Sequence, residues 1–229
     1  MMTNMETQNL VPKTLGTLAP LPRRQLLERK LPTKLPAKVI QNPCRKQWQQ
    51  KWLCLDVTHP QIQTLADEAE RFAGRWFKNI PRPAMLVLAG NSGTGKTHVA
   101  EKVLNFCNQA AFTAFESGSW GENHIPSSLY LSWPETTDAF KSGLYGVLQD
   151  CFTVDLLILD DIGAEHDPSK NATDKLCQIL TRRENKFTLV TTNIIPSVWP
   201  ERFDIRVADR LLRNSIIIDL TAVESYAMR

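Results

Sequence analysis

The first informative shortage in this 229-residue chain is of paired cysteines. Five are present, Cys44, Cys54, Cys107, Cys151 and Cys177. No two form a C-x-x-C pair and the number is odd, which argues against a zinc module and against a disulfide framework. Reduced thiols in a cytoplasmic protein are the expectation. No run of about 18 apolar residues exists, so no membrane-crossing helix is predicted. The start of the chain lacks an apolar stretch of roughly 7–15 residues behind a basic leader, which disfavours a secretory signal. No internal repeat is visible.

Net charge is small overall, but the charges are unevenly placed. The net value of +3 conceals a basic segment, residues 1–55, with ten Lys or Arg against Glu6 and Glu28. Residues 56–229 carry 17 basic and 22 acidic groups, so the pattern suggests a basic arm on a mildly acidic body. Six of the fourteen prolines fall within residues 1–43. Proline lacks a backbone donor and restricts the residue before it, so long elements are not expected there. One short helix is predicted around Arg24 to Lys30. Trp48 and Trp52 stand four apart among Arg45, Lys46 and Lys51, and share a face if helical. Such a face can stack bases and follow phosphates, or pack on the body or a partner protein. The expected organisation is an arm at 1–57 that binds a partner or DNA, and a body at 58–229.

In the body, Gly90-Asn91-Ser92-Gly93-Thr94-Gly95-Lys96-Thr97 is a G-x-x-x-x-G-K-T phosphate loop. It follows the apolar run Ala84 to Ala89 and precedes a helical pattern, the context the motif requires. Glycines let the backbone turn its amides inward as an anion nest. The following helix adds its positive end. Lys96 is placed to reach the β and γ phosphates, and the Thr97 hydroxyl to hold Mg2+.

Periodicity predicts the remaining elements. Helices are expected at about 60–78, from the phosphate loop to Asn108, at 136–152, at 171–183 and at 204–213. Either Thr58 or His59 can cap the first. Strands are expected at 84–89, 129–132, 154–159, 187–192 and 215–220. Gln109 to Ser128 reads mainly as loop, with strand character at 111–113. Apolar strands alternating with helices indicate an α/β fold, a doubly wound and mainly parallel five-stranded sheet. Too few residues follow Leu220 for a helical lid domain, so a core without one is expected.

Three further segments carry chemistry. Leu156-Leu157-Ile158-Leu159-Asp160-Asp161 delivers acids to the sheet's carboxyl edge, where ligands bind in such folds. Asp160 is expected to hold Mg2+ through water beside Thr97. Asp161 is placed to orient or polarise an attacking water as a general base; Asp is one methylene shorter than the Glu often found there. Asp-Asp can also simply cap a turn. Glu165 and His166 suit a surface loop or a supporting position. Asn193, ending Thr191-Thr192-Asn193, can sense a γ phosphate or the lytic water, or start a turn. Arg206, Arg210 and Arg213 share a helical face, either as a solvated stripe or as a guanidinium offered to a neighbouring subunit's nucleotide. The absence of an Asn-Lys-x-Asp run favours ATP over GTP.

Together these segments resemble the AAA+ ATPases of the bacterial helicase-loader family (the DnaC/DnaI type), with IstB-type transposition ATPases as relatives. The resemblance rests on residues 90–97, Leu-Asp-Asp-Ile-Gly-Ala-Glu (159–165), Thr-Thr-Asn (191–193) and Arg-Val-Ala-Asp-Arg-Leu (206–211), and spans about 58–221. It implies that Asn193 is sensor 1 and Arg210 the arginine finger, with Arg229 a weaker candidate for a second sensing arginine. It further implies ATP and Mg2+ as cofactors, a homo-oligomer, single-stranded DNA, and a replicative hexameric helicase met by residues 1–57. An IstB-like ATPase serving a transposase, or a slow ATP switch in a DNA-binding adaptor, are the alternatives.

Overall fold

The computed structural model describes residues 53, 55, 59–116, 126–143 and 145–226. Of the arm expected at 1–57 only Leu53 and Leu55 are described; the short helix predicted at 24–30, the Trp48/Trp52 pair and Arg229 lie outside the described residues. Helix α1 (Pro60–Phe77) shows why this stretch is helical. Pro60 sits at its first position, and the His59 Nδ1 accepts from the Gln61 amide at 3.2 Å. Ile62, Leu65, Ala66, Ala69, Phe72, Ala73 and Trp76 are buried along one stripe. Each large apolar side chain in that stripe contributes about 2 kcal/mol. Asn79, in the left-handed region at φ 53°, turns the chain out of the helix.

Strand β1 (Met85–Ala89) follows, fully buried, and leads through the phosphate loop into α2 (Lys96–Glu116). This helix passes the predicted stop at Asn108 by two turns. The reason is legible afterwards: no glycine or proline intervenes before Gly118, and alanine favours helix. The stripe Val99, Val103, Cys107, Ala111 also continues at four-residue spacing, with every member buried. The strand character expected at 111–113 is therefore absent.

Next come β2 (Ser128–Ser132), α3 (Trp133–Lys141), α4 (Gly146–Thr153) and β3 (Leu156–Ile162). The single helix predicted at 136–152 is two, because Gly143 adopts φ 78° and breaks the ladder between them. α3 also starts earlier than expected, with Pro134 in its first turn and Trp133 fully buried. The remaining elements are α5 (Asn171–Arg182), β4 (Phe187–Thr192), a 3-10 turn (Pro196–Val198), α6 (Trp199–Arg202), α7 (Ile205–Leu212) and β5 (Ser215–Asp219). Among the described residues no α-helix follows β5.

The five strands form one parallel sheet in the order β2-β3-β4-β1-β5. Successive strand residues face opposite layers, as the period of two requires. Leu86, Leu88, Leu156 and Ile158 join α1 and α2 in one core. Met85, Val87, Ala89, Leu157 and Leu159 join the other core with residues of α3 to α7. Leu53 and Leu55, which precede the expected start of the body, are buried in the first core. The Leu53 carbonyl lies 2.9 Å from His98 Nε2 on α2. A burial of both sheet faces explains why the strands read as continuous apolar runs.

At the amino edge of the sheet, Arg183 is wholly buried. It donates to the carbonyls of Cys151 and Val154 at 2.8 Å, of Phe187 at 2.6 Å, and to the Thr188 hydroxyl at 3.0 Å. One guanidinium thereby ties the end of α4 to the start of β4. Burial pulls it down to about 10, so it remains charged at neutral pH. Among the described residues no helix is long and apolar enough to cross a membrane.

Candidate nucleotide site

The parallel sheet sets every carboxyl end on one edge, and the candidate residues collect there. β1 feeds the phosphate loop, β3 carries the two acids near its carboxyl end, and β4 runs between them. The loop's geometry depends on glycine at two points in particular. Gly90 has φ 134°, and a Cβ there would lie 2.7 Å from the Leu220 carbonyl carbon. Gly93 has φ 76°, and a Cβ there would collide with the Ser225 side chain. The chain after β5 crosses close to the loop: the Asn91 amide donates to the Thr221 carbonyl at 2.9 Å, and the Tyr226 N–H to the Gly93 carbonyl at 2.9 Å.

Lys96 begins α2 with its ammonium turned back over the loop. It donates to the carbonyls of Gly90 at 2.9 Å and Asn91 at 2.6 Å, and is only 6% exposed. Burial lowers its pKa, and the charges of Asp161 and Asp160 oppose that fall. Thr97, one residue on, donates its hydroxyl to the Asp160 carboxylate, 3.1 Å from each oxygen.

Asp160 receives two more hydroxyls, one from each neighbouring strand. Thr191 on β4 donates to Oδ1 at 2.6 Å, and Tyr130 on β2 to Oδ2 at 2.6 Å. The Tyr130 phenol is pushed well above its ordinary range by burial and by the bond to Asp160, so it remains a donor. Neither hydroxyl stood out in the sequence. Tyr130 reads as one more apolar position in Leu-Tyr-Leu, and Thr191 as a β-branched strand residue.

β3 does not stop at Leu159 as predicted but continues through a bulge between Leu159 and Ile162. Asp161 sits in that bulge at φ 61°, a left-handed conformation Asp tolerates better than most residues. Its N–H donates to Thr191 Oγ1 at 2.8 Å, and its carboxylate accepts from Asn193 Nδ2 at 2.6 Å. Burial raises the Asp161 pKa, the Asp160 charge raises it further, and Lys96 pulls the other way. The bulge explains how adjacent acids on one strand can both face the carboxyl edge.

The structure thus brings together Lys96, Thr97, Asp160, Asp161 and Asn193. It does not bring in Glu165, which accepts from the Gly163 N–H at 2.6 Å in its own loop, or the exposed His166. On α7, Arg206 is engaged by Asp204 and Asp174, and Arg213, at the helix's C-cap, by Asp209. Among the described residues no hydrogen bond or ion pair engages Arg210, which is half-buried. Exposed Ile205 and Leu212 stand on the same helix.

The residues fit a Mg2+-bound triphosphate. The loop offers a glycine cradle, Lys96 is buried beside it, and Thr97 with Asp160 is an all-oxygen donor set. Mg2+ commonly needs only one or two carboxylates because phosphates and waters complete its shell.

No protein-family model and no curated protein matches this sequence. Solved structures do match. The chain is similar to DnaI, with 20% identity over 82% of this chain and 92% of that one, at a TM-score of 0.56. It is similar to the DnaC helicase loader, with 17% identity over 76% of this chain and 98% of that one, also at 0.56. AMPPCP-bound DnaA from Aquifex aeolicus matches at 17% identity over 73% of this chain and 50% of that one, at 0.53. On the sheet order, the phosphate loop and these similarities, the chain has the AAA+ fold of the DnaC/DnaI type.

Proposed function

We propose that this protein is an ATP-dependent loader of a replicative ring helicase onto single-stranded DNA in the cytoplasm. It hydrolyses ATP to ADP at an interface between its own subunits. The observation that carries this reading is the convergence of Lys96, Thr97, Asp160, Asp161 and Asn193 on one sheet edge of a helicase-loader-type fold. AMPPCP in the similar DnaA structure supports ATP as the nucleotide.

Each residue has a task that its position suits. Amides of residues 90–96 cradle the phosphates, and Lys96 exchanges its loop carbonyls for phosphate oxygens. Thr97 and Asp160 would hold Mg2+, which when bound would supply charge neutralisation for phosphoryl transfer. Asp161 orients the attacking water and accepts its proton. Asn193, bonded to Asp161, aligns that water with the γ phosphate. Arg210, free of acidic partners among the described residues, is offered to the neighbouring protomer's nucleotide. Rate enhancement comes from positioning and charge neutralisation. Residues 1–57 supply the contact with the helicase.

A second reading has its own observation. Asp161 is short and bonded back to Asn193, a geometry that suits slow hydrolysis and an ATP-dependent switch in a DNA-binding adaptor. Co-purification from host extract with a bound ATP analogue, together with ATP turnover with and without single-stranded DNA, tests both. A hexameric helicase in the pull-down and DNA-stimulated turnover support the loader. A transposase instead would point to an IstB-like role, and tight ATP binding with turnover indifferent to DNA would favour the switch. Undiminished ATP binding and loading by Lys96→Ala would refute the engine altogether.

A further inference from the structure

We infer that Tyr130 is a positioning residue for the metal-binding carboxylate, acting through Asp160. The inference rests on the Mg2+-nucleotide reading above. In the sheet register Tyr130 lies opposite Ile158, and Ser132 opposite Asp160. The tyrosine must therefore reach one step along the neighbouring strand, roughly 6.6 Å for two residues, and a phenol has that length. Its ring packs against the first apolar core, a task that phenylalanine would serve equally. The hydroxyl adds nothing to that packing; it donates to Asp160 Oδ2, at 2.6 Å.

The consequence is a two-sided clamp. Tyr130 from β2 fixes Oδ2 and Thr191 from β4 fixes Oδ1, so the carboxylate cannot rotate about χ2 without losing a bond. The lone pairs left over face Thr97, whose hydroxyl lies 3.1 Å from both oxygens. Tyr130 acts on the site through Asp160. It sets the plane in which Asp160 offers its oxygens. Partners of this kind, behind a metal-binding group, change metal affinity about 10–100-fold when removed.

The test compares the full chain with Tyr130→Phe, which preserves shape and packing. Mn2+ is titrated into the AMPPCP-bound protein and followed by electron paramagnetic resonance. Affinity for a fluorescent ATP analogue is measured separately in EDTA, with melting temperature as a folding control. Tyr130→Phe is expected to weaken Mn2+ by at least about 10-fold, with nucleotide affinity in EDTA unchanged and a cooperative melt lowered only by the loss of one hydrogen bond to Asp160. Mn2+ affinity equal to the parent's would overturn the inference and leave the nucleotide reading intact. So would an equal loss of nucleotide affinity in EDTA, which would mark a general structural role. A parent protein that binds neither nucleotide nor Mn2+ would bring down both the nucleotide reading and the role assigned to Tyr130.

Discussion

Thr191→Val asks how much of the site hangs on one hydroxyl. Thr191 Oγ1 donates to Asp160 at 2.6 Å and accepts from the Asp161 N–H at 2.8 Å. It therefore holds the first acid's charge and the second acid's backbone together. Valine has the same shape, and the position is only 1% exposed, so packing is preserved and only the bonds are lost. A hydrogen bond to a charged group is worth about 1.5–3 kcal/mol, and a buried N–H left without an acceptor costs about 1–3 kcal/mol. The amide belongs to a residue at φ 61°, inside the bulge between Leu159 and Ile162. The expected loss of stability is about 3–5 kcal/mol, read by urea unfolding of parent and variant. Misplacement of both acids is expected to slow single-turnover ATP hydrolysis by about 100-fold. Thr191→Ser restores the hydroxyl and should recover most of both effects. Unfolding within about 0.5 kcal/mol of the parent, with hydrolysis unchanged, would refute the reasoning.

Three further outcomes are expected. Arg183→Met leaves three buried carbonyls and a hydroxyl without their donor; equilibrium unfolding should show a loss of about 3–5 kcal/mol, while nucleotide affinity measured on the folded fraction stays at the parent's value. Gly93→Ala places a Cβ against Ser225 at φ 76°, so nucleotide affinity should fall in equilibrium binding, and Ser225→Gly should recover only part of it because the backbone strain remains. The raised Asp161 pKa means that its contribution to stability is full below the unfolded value and is lost as pH rises through the folded one. Asp161→Asn should therefore melt at the parent's temperature near about pH 4 and above it near about pH 8 in calorimetric scans, with hydrolysis lost at both; a variant that melts lower at the alkaline end contradicts the sign.

Much of this is legible in the sequence. Apolar strands with charged ends, the glycine spacing at 90–95 and the Leu-Asp-Asp run mark elements whose local chemistry is nearly self-sufficient. The misread boundaries share a cause. Residues 109–116 carry no stop signal, yet only the burial of Ala111 against the first core shows that the helix continues. Gly143 is one glycine among ten, and nothing local says that this one turns the chain.

The sequence by itself determined a parallel α/β sheet with a phosphate loop and two acids at its edge, because strand period, helix period and turn chemistry act over a few neighbouring residues. Only the tertiary structure decided that hydroxyls from β2 and β4 would close on Asp160, and that a bulge would turn Asp161 toward Asn193. Those contacts join residues about 30 positions apart, and strand order and register, which no local pattern encodes, place them within hydrogen-bond reach.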